Sequence, residues 1–312
     1  MSGHYIEFQS VSKSFDEHAV LNDVSFFVEQ GETAVILGRS GVGKSVTLKL
    51  LLGFLEPDAG KIIVAGEDVT GWSEAQFAEI RRRVTMVFQS GALFDSLTVA
   101  ENIAFPFTSR GGTEPEQVEA RVKELMAMLD VTEFAERLPA DLSTGTKRAV
   151  AIARALALDP EAILYDEPTT MVDGLMAAQM VELILKLKAK LHKTSVVVTH
   201  DTHLAKRLAD RVIFLQEGRV AFFGTWPEFE SSPEDARRSH SVLRMGSAIV
   251  QSSRRRYPSR AVRAWLPGGD SGESGTAQRV ARERGPATSE GSPEGSREDD
   301  SSRGPHIEKS ES

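Results

Sequence analysis

Gly38-Arg39-Ser40-Gly41-Val42-Gly43-Lys44-Ser45 fits the pattern GxxxxGK[ST] through Gly38, Gly43, Lys44 and Ser45. Its flanks decide how it is read. Thr33-Ala-Val-Ile-Leu37 is a short apolar run of the kind that forms a buried strand, and Val46 to Leu55 carries apolar residues at helical spacing. Strand, glycine-rich loop and helix is the context a phosphate loop requires. Glycines let successive backbone N–H groups turn inward around a polyphosphate, and the helix N-terminus adds the positive end of its dipole. Lys44 is placed to reach the β- and γ-phosphates, and the Ser45 hydroxyl to ligate Mg²⁺. With Val46 opening the helix, Gly38 to Val46 is the expected cradle of a nucleoside triphosphate.

Composition narrows the class. The 312 residues are 40% hydrophobic and 26% charged, as in an ordinary globular protein. A formal charge of −8 argues against nucleic acid as the main partner. No cysteine is present, which excludes disulfides, thiolate metal sites and cysteine nucleophiles. Met1-Ser-Gly-His-Tyr-Ile-Glu7 has no basic region followed by an apolar one, so no signal peptide is expected. No apolar run approaches the roughly 20 residues that cross a bilayer. The expected location is cytoplasmic, and any role at a membrane requires a partner that spans it.

Taken in order, Tyr5 to Phe15 and Val24 to Val28 read as two strands joined by a polar turn at Asp16-Glu17-His18. Phe15 precedes the phosphate loop where an aromatic could stack on adenine, although a lone aromatic near a strand end is more often packing. Further strands are expected at Lys61 to Ala65, Val84 to Phe88, Ala162 to Tyr165, Ser195 to Thr199, Arg211 to Leu215 and Arg219 to Phe223. Between Gly91 and about Ala140 the spacing turns helical, with Pro115 near a first turn, and Ser143 is an N-cap candidate for the next helix. Leu175 to Leu191 and Leu204 to Leu208 are expected helices. The predicted class is α/β: a phosphate-loop NTPase of RecA-like type. It has a mostly parallel sheet, an N-terminal antiparallel β region and an inserted α-helical subdomain at about 90–158.

The character of the chain changes near Ser252. From 252 to 312 it is rich in Gly, Ser, Pro, Arg and Glu, with eleven basic and ten acidic residues, so residues 1–251 carry about −9. Such a segment cannot bury enough apolar surface to offset its ordering entropy, and disorder is expected there. Arg254-Arg-Arg256, Arg260 and Arg263 could touch anionic headgroups, though a solvated tail is the simpler reading.

Ala162-Ile-Leu-Tyr-Asp-Glu167 is an apolar strand ending in two carboxylates. In a phosphate-loop fold the first can hold the metal's water shell and the second can accept a proton from the attacking water. Alone, two acids at a strand end are ordinarily a solvated turn. A single His200 after a strand is ordinarily structural.

In order along residues 5 to 225, the chain carries Phe15, the phosphate loop, Gln89, Leu142-Ser143-Thr144-Gly145-Thr146, Asp166-Glu167, Asp173 and His200. Together these resemble the ABC ATPases, the nucleotide-binding subunits of ABC transporters. The resemblance implies ATP and Mg²⁺ as ligands, with Ser45, Gln89 and Asp166 around the metal. It makes Glu167 the general base and Gln89 a sensor of metal and attacking water. It sets His200 against the γ-phosphate and leaves Lys44 to complete the catalytic set. Asp173 would belong to a loop crossing a homodimer, while Ser143 and Gly145 would close over ATP held by the other protomer. An integral membrane permease is implied, which would hold the subunit on the inner face of the membrane.

Phe88-Gln-Ser90-Gly-Ala-Leu-Phe94 and the run to Pro106 also look like the ATPases of Mce/Mla-type lipid transporters, whose further partner is a periplasmic Mce-domain protein. An importer of another small solute, and a soluble ABC protein without a permease, remain the alternatives. The segment from Ser90 to Pro106, with Leu93, Phe94, Leu97, Ile103 and Phe105, is the expected permease dock. Two departures stand out. Thr144 replaces the first glycine of Leu-Ser-Gly-Gly-Gln, where strain is expected, and Gly174 stands where a helix-starting proline is usual.

Overall fold

The computed structural model describes residues 3–232, which lie within the unit Met1–Ser259; the expected tail at 252–312 falls outside the described residues. In chain order the elements begin with β1 (Ile6–Phe15), β2 (His18–Val28), β3 (Thr33–Leu37), α1 (Lys44–Leu51), β4 (Ala59–Val64) and β5 (Glu67–Asp68). There follow α2 (Glu74–Arg83), β6 (Val84–Val87), α3 (Val99–Arg110), α4 (Pro115–Met128), α5 (Thr144–Leu156) and β7 (Ala162–Asp166). The last are α6 (Gly174–Leu191), β8 (Thr194–Thr199), α7 (Thr202–Leu208), β9 (Arg211–Gln216), β10 (Arg219–Gly224) and α8 (Trp226–Ser231).

Two sheets organise them. One is antiparallel in the order β2-β1-β4-β5, and the other runs β10-β9-β3-β8-β7-β6. In the second only β10 is antiparallel; β9, β3, β8, β7 and β6 all pair in parallel. All five residues of β3 are buried, as a continuous apolar run between covered faces requires. Alternation then divides it: Val35 and Leu37 join the core beneath α3 to α7, whereas Ala34 and Ile36 join the core shared with α1 and the antiparallel sheet. Each fully buried Val, Ile or Leu here contributes roughly 1.5 to 3 kcal/mol.

Parallel pairing has a functional consequence. Leu37 is level with Thr199, Asp166 with Val198, and Val87 with Tyr165. The C-terminal ends of β3, β8, β7 and β6 therefore open on one edge, where ligands bind in open α/β sheets. The residues that follow those ends are the phosphate loop, His200, Glu167 and Gln89.

The inserted helices form as their caps dictate. Thr98 accepts a bond from the Glu101 N–H while the Glu101 carboxylate accepts from the Thr98 N–H, a reciprocal box that starts α3. Ser143 caps α5 by accepting from the Thr146 N–H, and Asp173 caps α6 by accepting from the Leu175 and Met176 N–H groups. Asn102, fully buried, accepts from the Phe94 N–H and donates to the carbonyls of Phe94, Leu97 and Thr98. It thus ties the loop before α3 to the helix. No helix among the described residues is long and apolar enough to cross a membrane.

Candidate functional site

A cavity of about 580 Å³ opens at that strand edge, lined by Val20, Arg39 to Gly41, Gly43 to Val46, Gln89, Glu167, Thr170 and His200. Its floor is the phosphate loop. Gly43 caps α1 with φ +108°, and a Cβ there would lie 2.5 Å from Leu21 Cδ2. Gly38 is equally constrained by space, since a Cβ would meet Val42 Cγ1 at 2.6 Å and the Leu215 carbonyl oxygen at 2.7 Å. Only glycine fits both positions.

Lys44 is 5% exposed, and its Nζ donates to the Gly38 and Arg39 carbonyls at 3.0 and 3.1 Å. Its third partner is Glu167 Oε1 at 3.1 Å. Glu167 in turn places Oε2 2.8 Å from His200 Nδ1 and accepts from the Thr170 hydroxyl at 3.0 Å. Beside it the Ser45 hydroxyl donates to Asp166 Oδ1 at 2.9 Å. Burial raises the Asp166 pKa against that hydrogen bond, with the Glu167 charge adding to the rise. Burial would raise Glu167 too, but the His200 bond and the Lys44 charge together hold it below its ordinary value. It is a carboxylate at neutral pH, able to accept a proton. His200 is raised, chiefly by its bond to Glu167.

Those two shifts set a pH dependence for the nucleotide-free chain. His200, raised on folding, contributes fully below its ordinary value of about 6.5, and the contribution is lost as pH rises through the raised value. Glu167, lowered on folding, contributes above about 4.5 and loses it as pH falls through the lowered value. Because His200 is half exposed the pair is worth little, about 1 to 2 °C of melting temperature. Wild type should lose that margin as pH rises above about 6.5, and His200→Gln should not. Parallel melting curves for the two chains would remove the pair from this role.

Of the residues read from sequence, Arg39, Ser40, Gly41, Gly43, Lys44, Ser45, Val46, Gln89, Glu167 and His200 line the cavity, and Gly38, Val42 and Asp166 stand behind them. Phe15 does not line it; it is 40% exposed at the end of β1, with Lys13 Nζ 5.7 Å from the ring centroid. Ser143, Gly145 and Asp173 also lie outside this chain's own cavity. Thr144 opens α5 without positive φ, so the strain expected of it is absent in this conformation. At Gly145 a Cβ would lie 1.8 Å from Met176 Cε, the end of a flexible side chain that can move aside.

Val20 and Thr170 were not legible as site residues. Val20 reaches the cavity from β2 through strand pairing, and Thr170 through the fold of the loop after β7, so neither has a local signal. Ile103, expected at the dock, is fully buried core, whereas Phe94 is 41% exposed and packs on Phe105 with ring centroids 4.3 Å apart.

The sequence profile of the ABC transporter family matches residues 21–170. The chain is 36% identical over 233 residues to the methionine import ATP-binding protein MetN 1 of Pseudomonas putida, covering 73% of this chain and 70% of that one. It is 40% identical over 252 residues to the Fe(3+) ions import ATP-binding protein FbpC 2 of Rhodococcus jostii, covering 80% and 69%. Among solved structures, a dimeric ATP-binding cassette in a post-hydrolysis state with ADP and Pi superposes with a TM-score of 0.64 at 32% identity, over 70% of this chain and 98% of that one. This chain belongs to the ABC transporter family, as one of its ATP-hydrolysing, ATP-binding subunits.

Proposed function

We propose that this subunit drives a membrane importer of a small solute, hydrolysing ATP at the interface of a homodimer docked on an integral permease. The observation that carries the catalytic part is the meeting of Lys44, Ser45, Gln89, Asp166, Glu167 and His200 at one cavity. The loop N–H groups and Lys44 bind the phosphates, Glu167 takes the proton of the attacking water, and His200 stands at the γ-phosphate. Hydroxyl, amide and carboxylate oxygens from Ser45, Gln89 and Asp166 suit Mg²⁺, a hard cation that keeps part of its water shell. Among the described residues no group of three or more His, Cys, Asp or Glu could hold a metal. The metal supplies charge neutralisation between the phosphates when bound.

Met171 and Leu175, 86% and 63% exposed, flank Asp173 and form an apolar rim for a second copy, which would bring Ser143 and Gly145 to this chain's nucleotide. A groove of about 450 Å³, lined by Phe54, Arg81, Phe88, Phe94, Phe105 and Arg154 among others, lies beyond Gln89 and fits the permease dock. The relatives that import methionine and ferric ion support a small solute as cargo. The resemblance of Ser90 to Phe94 to Mce/Mla-type ATPases supports a second reading, phospholipid or another hydrophobic cargo with a periplasmic Mce-domain subunit.

Affinity purification of the full chain should bring down an integral membrane protein. Phe94→Asp should lose it while melting within about 2 °C of wild type, because an exposed ring leaves no cavity. Retention of the permease by Phe94→Asp would move the dock elsewhere. Mass spectrometry of the intact complex separates the two cargo readings, since an Mce-domain subunit and bound phospholipid would displace the small-solute importer.

A further inference from the structure

Arg148 sits on α5, one turn beyond Ser143, and is only 5% exposed. A buried guanidinium is costly unless its donors are satisfied, and no carboxylate among the described residues pairs with it. Its two terminal nitrogens donate instead to the backbone carbonyls of Pro168 and Thr170. These lie in the loop that directly follows Glu167. The loop is conformationally expensive, because Glu167 and Met171 both hold left-handed backbone, at φ +48° and +61°. Arg148 grips it between those two residues. Thr170 then turns its own hydroxyl to the Glu167 carboxylate at 3.0 Å. A continuous path therefore runs from α5 through Arg148 and Thr170 to the group that faces Lys44 and His200.

We infer that Arg148 is a positioning residue for Glu167, acting through Thr170 and linking the helix headed by Ser143 and Gly145 to the hydrolytic site of the same chain. Nothing in this role touches nucleotide. It holds the loop so that the carboxylate keeps its place, and it transmits to that carboxylate any shift of α5 when Ser143 and Gly145 meet a second nucleotide. The inference rests on Glu167 being the general base.

The test uses the full chain in its permease complex, reading kcat by phosphate release and nucleotide affinity by equilibrium binding of ATP under non-hydrolysing conditions. Thr170→Val keeps shape and removes only the hydroxyl, so it should fold; kcat should fall about fivefold with affinity within twofold. Arg148→Gln should lower kcat about tenfold or more, as misplaced catalytic groups do, and Arg148→Lys should restore part of it by donating again to a carbonyl. Acting in series, the Arg148→Gln/Thr170→Val chain should be no slower than Arg148→Gln alone. Wild-type kcat in Thr170→Val, or losses that multiply in the double variant, would overturn the link. Should Arg148→Gln fail to fold, Arg148→Lys takes its place in the cycle, and the same two results decide for or against the link. Glu167→Gln is the control: if it turns over normally the base assignment fails, whereas an inactive Glu167→Gln beside fully active Thr170→Val and Arg148→Lys leaves the base standing and removes only the link.

Discussion

Glu167→Gln will bind ATP and all but stop hydrolysing it, with turnover down about a thousandfold, the range general-base catalysis contributes. The amide matches the carboxylate in shape, so the loop after β7 should keep its fold. What it lacks is basicity and charge. In wild type the carboxylate is held ionised by His200 and Lys44 despite burial, so it is ready to take a proton at neutral pH. A second effect follows from the same geometry. Glu167 Oε1 occupies the ammonium of Lys44 at 3.1 Å, and an incoming phosphate competes for that ammonium. Removing the charge removes the competitor, so ATP affinity should rise a few-fold even in the undimerised chain. Phosphate release and equilibrium binding on one preparation read both effects. Turnover within tenfold of wild type would take the base role from Glu167.

Lys44→Met will have the opposite signature, losing nucleotide before it loses anything else. The ammonium is buried against the loop carbonyls, and its charge-assisted bonds to phosphate are the strong kind. Affinity should fall about a hundredfold, which is near 2.7 kcal/mol at room temperature. The nucleotide-free chain also suffers. Without Lys44 the Gly38 and Arg39 carbonyls lose a donor, and Glu167 loses a group that lowers its pKa. Glu167 must then protonate at higher pH, so the carboxylate's contribution to stability disappears earlier on acidification than in wild type. Binding titrations at neutral pH, and melts carried on acidification below about pH 4.5, test the two halves separately. ATP affinity within threefold of wild type would mean the loop N–H groups alone hold the phosphates.

Local chemistry decided much of this molecule before any long-range contact formed. The apolar run of β3, the glycines after it and the acids ending β7 are patterns of consecutive residues, and each specifies a strand, a loop or a strand end by itself. The cap at Ser143 acts within three residues, so the start of α5 was legible, whereas Asp173 was read only as a loop residue and the structure makes it the cap of α6. The helix α2 was not, because only Phe77 and Ile80 of its ten residues are buried and no apolar stripe announces it. Everything that depends on neighbours distant in sequence waited for the fold. Strand order brings β3 between β8 and β9, which lie far downstream in the chain, and so gathers Lys44, Glu167 and His200. Pairing of β1 with β2 brings Val20 to the cavity and leaves Phe15 outside it. Burial separated Ile103 from Phe94 within one apolar segment. Arg148 reads in sequence as one more basic residue on a helix; only packing of α5 against the loop after Glu167 gives its guanidinium two carbonyls and no acid. Periodicity and capping are local and survive in a string of letters, while strand pairing and burial are set by the whole chain's competition for one interior.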